Sequence, residues 1–152
     1  MFNQFGGEND GRVEKPSSLR QSGLPAMKQA VLQNRKGIEI GICSERFAGP
    51  QHIEWGVEPS AGMAVLAGQR SINAFNAVAE NLALEIQPYD LAKMVTTGCF
   101  LNDILKALWE GYLIIKPGRI FVIGLIICNS EPGKKNEQRK STNKVYRDAH
   151  FE

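Results

Sequence analysis

Residues 68–100 constrain the chain more than any other stretch. Ile72, Phe75, Val78, Ala79, Leu82, Leu84 and Ile86 recur near helical spacing, which predicts an amphipathic helix. Pro88 cannot continue a helix and biases Gln87 away from one. Leu91 to Val95 is then a short apolar run stopped by Thr97-Gly98, as a buried strand would be. Helix, turn, strand and Gly turn in that order make half of a βαβ unit.

The rest of the chain repeats this alternation. Pro25 suits a first helical turn, with Met27, Ala30 and Val31 on one face and Gly37 as a stop. Residues 38–43, Ile-Glu-Ile-Gly-Ile-Cys, form a strand candidate. Residues 44–62 read as loop, in which residues 52–55 make a short edge strand. Residues 63–67 are either a strand or the lead-in to the central helix. Residues 101–112 carry a second helical stripe of Leu101, Ile104, Leu105 and Leu108, capped by Asn102 or Asp103. Two apolar segments, 112–115 and 120–128, flank Lys116-Pro117-Gly118-Arg119. They predict either a hairpin on a type II turn or a buried strand formed by the second segment alone. Alternating helices and strands argue an α/β fold with a parallel sheet and crossover helices.

The 152 residues suffice for one core. They divide into a polar arm at 1–23, an α/β domain at 24–130 and a basic polar tail at 131–152. A net charge of +2 argues for neither nucleic acid nor an anionic membrane as partner. Three scattered cysteines suit a reducing compartment rather than a disulfide framework. With no apolar leader at the N-terminus and no run long enough to span a bilayer, the expected location is cytoplasmic or peripheral on an internal membrane.

Little chemistry stands out by residue type. Two histidines and no cysteine cluster leave a zinc site short of ligands. Cys43 and His52 form a thiolate–imidazole pair only if a turn brings them together; otherwise Cys43 is a core residue. Glu54 and Glu58 fall in a polar loop and read as solvated. Thr97 and Gly98 read either as a strand-ending turn or as a turn that approaches a cofactor. Between Lys134 and Arg147 six residues are Lys or Arg and one, Glu137, is acidic. That run is a solvated tail or a docking arm for an acidic partner.

Several pieces carry a family resemblance. They are Leu24-Pro25-Ala26-Met27, the strand at residues 36–44, the loop at 60–69, the helix end Leu82-Ala83-Leu84-Glu85-Ile86-Gln87-Pro88-Tyr89, and the strand and turn at 95–100. In this order they resemble the second half of a short-chain dehydrogenase/reductase. Residues 116–121 are similar to members acting on acyl-dihydroxyacetone phosphate. The resemblance implies hydride transfer between NADP or NAD and a small carbonyl or lipid-like substrate. It places Ser44, or alternatively Ser60, at the substrate-orienting serine. It places Gly41 at the strand asparagine and Thr97 and Gly98 beside the nicotinamide. The family's Gly-rich turn and Tyr-x-x-x-Lys pair have no counterpart. The resemblance therefore implies a partial Rossmann-like sheet lacking the N-terminal Gly-rich βαβ half, with little or no activity. The alternative expectation is a non-catalytic assembly subunit, a homo-oligomer joined through the apolar segment at 112–128.

Overall fold

The computed structural model describes residues 36–42, 53–86 and 88–150. Within them the strands β1 (Gly37–Ile40), β2 (Trp55–Val57), β3 (Asn73–Phe75), β4 (Tyr89–Val95) and β5 (Ile115–Gly124) form one sheet in the order β3-β2-β1-β4-β5. Every neighbouring pair is parallel. The α/β fold with a parallel sheet is therefore present, and it is Rossmann-like.

Helix α1 (Ala61–Gln69) links β2 to β3 on one side of the sheet order. Helix α2 (Ile104–Leu113) links β4 to β5 on the other. Right-handed crossovers running in opposite directions must put their helices on opposite faces. The packing follows. Ala67 of α1 joins Ile42, Ile53, Ile72 and Leu91 in one cluster, while Ala107 of α2 joins Ile38, Ile40, Val57, Ala92 and Met94 in the other. Strands buried on both faces read as near-continuous apolar runs, and β4 is buried or nearly so along its length.

The predicted long helix at 72–86 does not form. Its first residues are Ile72, which enters the α1-side core, and β3, whose Ala74 packs on that same side. The remainder is irregular, with an isolated antiparallel bridge between Val78 and Asn81. Ala79 and Leu82 drop into the α2-side core, and Glu110 accepts from the Leu82 N–H at 3.0 Å. The helix belongs instead to residues 61–69, where Ser60 caps it by accepting from Met63 N–H. The helical spacing at 72–86 thus comes from burial demanded by three different elements, not from one amphipathic face.

The hairpin alternative also fails. Residues 115–124 are one strand, parallel to β4. Its register jumps from Tyr89↔Ile115 to Leu91↔Ile120, so Pro117 and Gly118 (φ +72°) are carried in a bulge rather than a reversal. Lys116 and Arg119 reach back from that bulge to Asp90, at 3.1 and 3.3 Å. Asp103 caps α2 by accepting from Lys106 N–H, one of the two residues expected to do so. The polar C-terminal stretch contains α3 (Glu131–Arg139), capped by Ser130, and a 3-10 turn at Lys144–Tyr146. The expected helix at 24–33 and the Cys43–His52 pair lie outside the described residues.

Candidate functional site at the carboxyl edge of the sheet

The strand order reverses direction between β1 and β4. In an open parallel sheet that reversal opens a crevice at the strands' carboxyl ends, and ligands bind there. The sequence places Gly41 directly after β1, Glu58 directly after β2, and Thr96-Thr97 directly after β4.

Gly41 has φ +75°, a conformation that side chains rarely adopt. A Cβ there would sit 2.3 Å from the Thr97 hydroxyl oxygen. Two bonds fix it in place. Its N–H donates to Val57 O at 2.8 Å, and the Thr97 hydroxyl donates to the neighbouring Ile40 O at 3.1 Å. The space a side chain would occupy at Gly41 is taken by Thr97, so the close approach of these two strand ends requires glycine there. Thr96 is held at φ +60° with its N–H on Gly124 O. A β-branched residue in that region is strained, and such strain concentrates at binding sites.

Glu58 was expected to be solvated. It is 5% exposed. Its backbone N–H donates to Phe75 O at 2.9 Å, and its carboxylate accepts from the amides of Ser60, at 2.9 Å, and Ile42. Burial raises its pKa above the usual 4.5, and the two amide bonds partly oppose that rise. In nucleotide-binding sheets an acidic residue following the second strand bonds the ribose hydroxyls. The sequence signal was available: Ile53, Trp55 and Val57 alternate as a strand that ends on Glu58, with Pro59 and Ser60 opening a helix.

Among the residues singled out from sequence, Gly41 and Thr97 are in contact, and Gly98 opens the 3-10 turn (Gly98–Phe100) that follows. Ser44 lies outside the described residues. Ser60 caps α1 with its side chain while its N–H holds Glu58, so its surroundings are those of a structural residue rather than a substrate-orienting one. Among the described residues there is no group of three or more His, Cys, Asp or Glu side chains able to hold a metal, and no helix long and apolar enough to cross a membrane.

A glycine turn beside β1, an acidic residue closing β2 and a strained corner after β4 thus lie at the carboxyl edge of a Rossmann-like sheet, the edge at which such sheets bind ligands. No family model matches the chain. The solved structure of a Thermotoga maritima protein, TM1293, described as a SAM-dependent methyltransferase and possible histamine N-methyltransferase, is 35% identical with a TM-score of 0.79. The similarity covers 99% of this chain and 72% of that one. The uncharacterized protein MJ1123 of Methanocaldococcus jannaschii is 31% identical over 99% of this chain and 73% of its own length. The CcbJ methyltransferase of Streptomyces caelestis shares the fold at 16% identity, with a TM-score of 0.65 over 84% of this chain and 57% of that one. The chain belongs to the SAM-dependent methyltransferases.

This corrects the short-chain dehydrogenase/reductase reading and, with it, the oxidoreductase activity and the NADP or NAD cofactor. The two families share a parallel sheet and glycine-bearing strand ends, and short matches at such places do not separate them. No relative or neighbour supports the non-catalytic assembly alternative.

Proposed function

We propose that this chain binds S-adenosylmethionine at the carboxyl edge of β1, β2 and β4 and transfers its methyl group to a small-molecule nucleophile. The observation that carries the reading is Glu58, a buried carboxylate held by two backbone amides beside the Gly41 turn. Such a group costs stability where it stands and is suited to ribose hydroxyls. On this reading β1 is the cofactor strand, and Thr97, admitted by the absent side chain of Gly41, is the brace that joins the ends of β1 and β4.

When bound, S-adenosylmethionine supplies an electrophilic methyl carbon on a sulfonium. Glu58 would hold its ribose hydroxyls, and the ends of β1 and β4 at Gly41 and Thr96-Thr97 would flank it. The Thermotoga maritima relative's description as a possible histamine N-methyltransferase suggests a nitrogen as the accepting atom, without fixing the acceptor's charge. Calorimetric titration with S-adenosylmethionine tests the reading. Saturable one-to-one binding that is weakened by Glu58→Gln supports it; no heat of binding, or equal affinity in the variant, overturns it.

A further inference from the structure

The basic C-terminal stretch is not loose from this site. His150 N–H donates to Cys99 O at 2.6 Å, Ala149 is buried, and the Tyr146 ring meets Phe100 edge-on at 5.6 Å. Cys99 and Phe100 belong to the 3-10 turn that begins one residue after Thr97. The segment is therefore docked on the β4 corner of the candidate site.

Its charge is net basic, six Lys or Arg against Glu131, Glu137 and the exposed Asp148. Lys135 and Lys140 are engaged by Glu131 and Glu137. The Arg139 guanidinium lies over the Tyr146 ring at 5.9 Å and donates to Asn136. Lys134, Lys144 and Arg147 are exposed and make no ion pair among the described residues. Lys144 and Arg147 flank Tyr146, which is in ring contact with the site's own turn. A cleft lined by one sign of charge raises the local concentration of ligands of the opposite sign.

We propose that residues 130–150 are the acceptor-recognition element of the site and select a methyl acceptor bearing an anionic group, a carboxylate or phosphate. This rests on the carboxyl edge being the methyl-transfer site. It also separates this chain from a cationic acceptor such as histamine.

The test uses amide chemical shifts of the full chain saturated with S-adenosylhomocysteine. Three probes are titrated: imidazole-4-acetate, histamine as its cationic counterpart, and inorganic phosphate. Imidazole-4-acetate should move the Cys99, Phe100 and Tyr146 amides at lower concentration than histamine, by about fivefold, the size two exposed charges supply. The preference should vanish in Lys144→Gln/Arg147→Gln and at high salt. Phosphate competing with imidazole-4-acetate identifies a general oxyanion site, and failure to compete identifies a carboxylate site; either supports the proposal. Histamine binding as well as imidazole-4-acetate, a preference unchanged in the double variant, or no shift with any probe would overturn it. If S-adenosylhomocysteine itself does not bind, the methyl-transfer reading falls first and this proposal with it. Cofactor binding with indifference to charge overturns this proposal alone.

Discussion

Glu39 on β1 and Lys93 on β4 stand directly opposite each other in the parallel register, and both side chains are 0% exposed. An ionisable pair across the central strands of a sheet is expensive to bury and more expensive to break. Desolvation drives the Lys93 pKa below its usual 10.5, and Glu39 opposes that fall. Lys93→Met should cost about 3–5 kcal/mol, because it removes the cation that stands across from a buried carboxylate. Glu39→Leu/Lys93→Met should recover most of that loss, since well-packed apolar replacements of buried pairs are often neutral or stabilising. The pH dependence has a definite sign. Between the lowered folded pKa and 10.5 the unfolded chain holds a proton that the folded chain has released, so this residue's contribution to stability rises with pH. Urea denaturation across that window checks it: the slope should disappear in the double variant.

Glu58 sets stability against binding. Its folded pKa lies above 4.5, so its contribution is fully present below 4.5 and is lost as pH rises through the folded value. Glu58→Gln keeps a side-chain oxygen for the Ser60 amide and removes the charge. At neutral pH the variant should be as stable as the parent or more so, by up to about 1 kcal/mol. Its affinity for S-adenosylmethionine should fall about tenfold or more, since hydrogen bonds to charged groups contribute about 1.5–3 kcal/mol each. Thermal melts and calorimetry on one preparation read both. An unstable variant that binds normally would reverse the assignment.

Much of the architecture was legible in the sequence, and the reasons are local. Apolar runs at 38–42 and 91–95 mark the two central strands because a parallel strand is buried on both faces. Asp103 announces the start of α2 through its cap. The failures have a common cause: burial set by tertiary contacts imitates local periodicity. Ile72, Phe75, Ala79 and Leu82 fall near helical spacing, yet Ile72 packs on the α1 side and Phe75, Ala79 and Leu82 on the α2 side. Lys116-Pro117-Gly118-Arg119 carries turn chemistry, but the Asp90 carboxylate gathers both cations and turns the segment into a bulge. At the site, Gly41 and Thr97 are brought together across β1 and β4. The burial of Glu58 is not legible locally, because the amides that meet its carboxylate come from Ile42, beyond the end of β1, and from Ser60, the cap of α1.

The contact between Gly41 and Thr97 leaves no room for a methyl group. Gly41→Ala would place a Cβ 2.3 Å from the Thr97 hydroxyl oxygen and force a side chain into φ +75°. The combined strain should destabilise the chain by about 2–4 kcal/mol. It should also weaken S-adenosylmethionine binding by displacing the β1 turn from the β4 corner. Thr97→Val tests the brace without the clash: it deletes the bond to Ile40 O and should cost about 1 kcal/mol. Urea midpoints and cofactor titrations should show Gly41→Ala impaired in both and Thr97→Val impaired mainly in stability.

Asp90 supplies the converse case, because it lies at the amino end of β4, away from the proposed site. Its carboxylate accepts from Lys116 Nζ at 3.1 Å, meets Arg119 at 3.3 Å, and accepts from the Lys36 amide at 3.3 Å. The Lys116 bond is the main cause holding its pKa below the usual 3.8. The stability this residue contributes is therefore present above 3.8 and lost as pH falls through the lower folded value. Both cations are partly exposed, at 44%, so solvent screening limits the effect. Asp90→Asn should cost no more than about 1 kcal/mol at neutral pH. The difference from the parent should shrink as both are acidified below 3.8, and it should shrink with added salt at neutral pH. Affinity for S-adenosylmethionine should stay within twofold of the parent, by about the precision of the titration. A large loss of cofactor affinity in Asp90→Asn would show that the bulge in β5 shapes the carboxyl edge after all, and that the two ends of β4 are coupled.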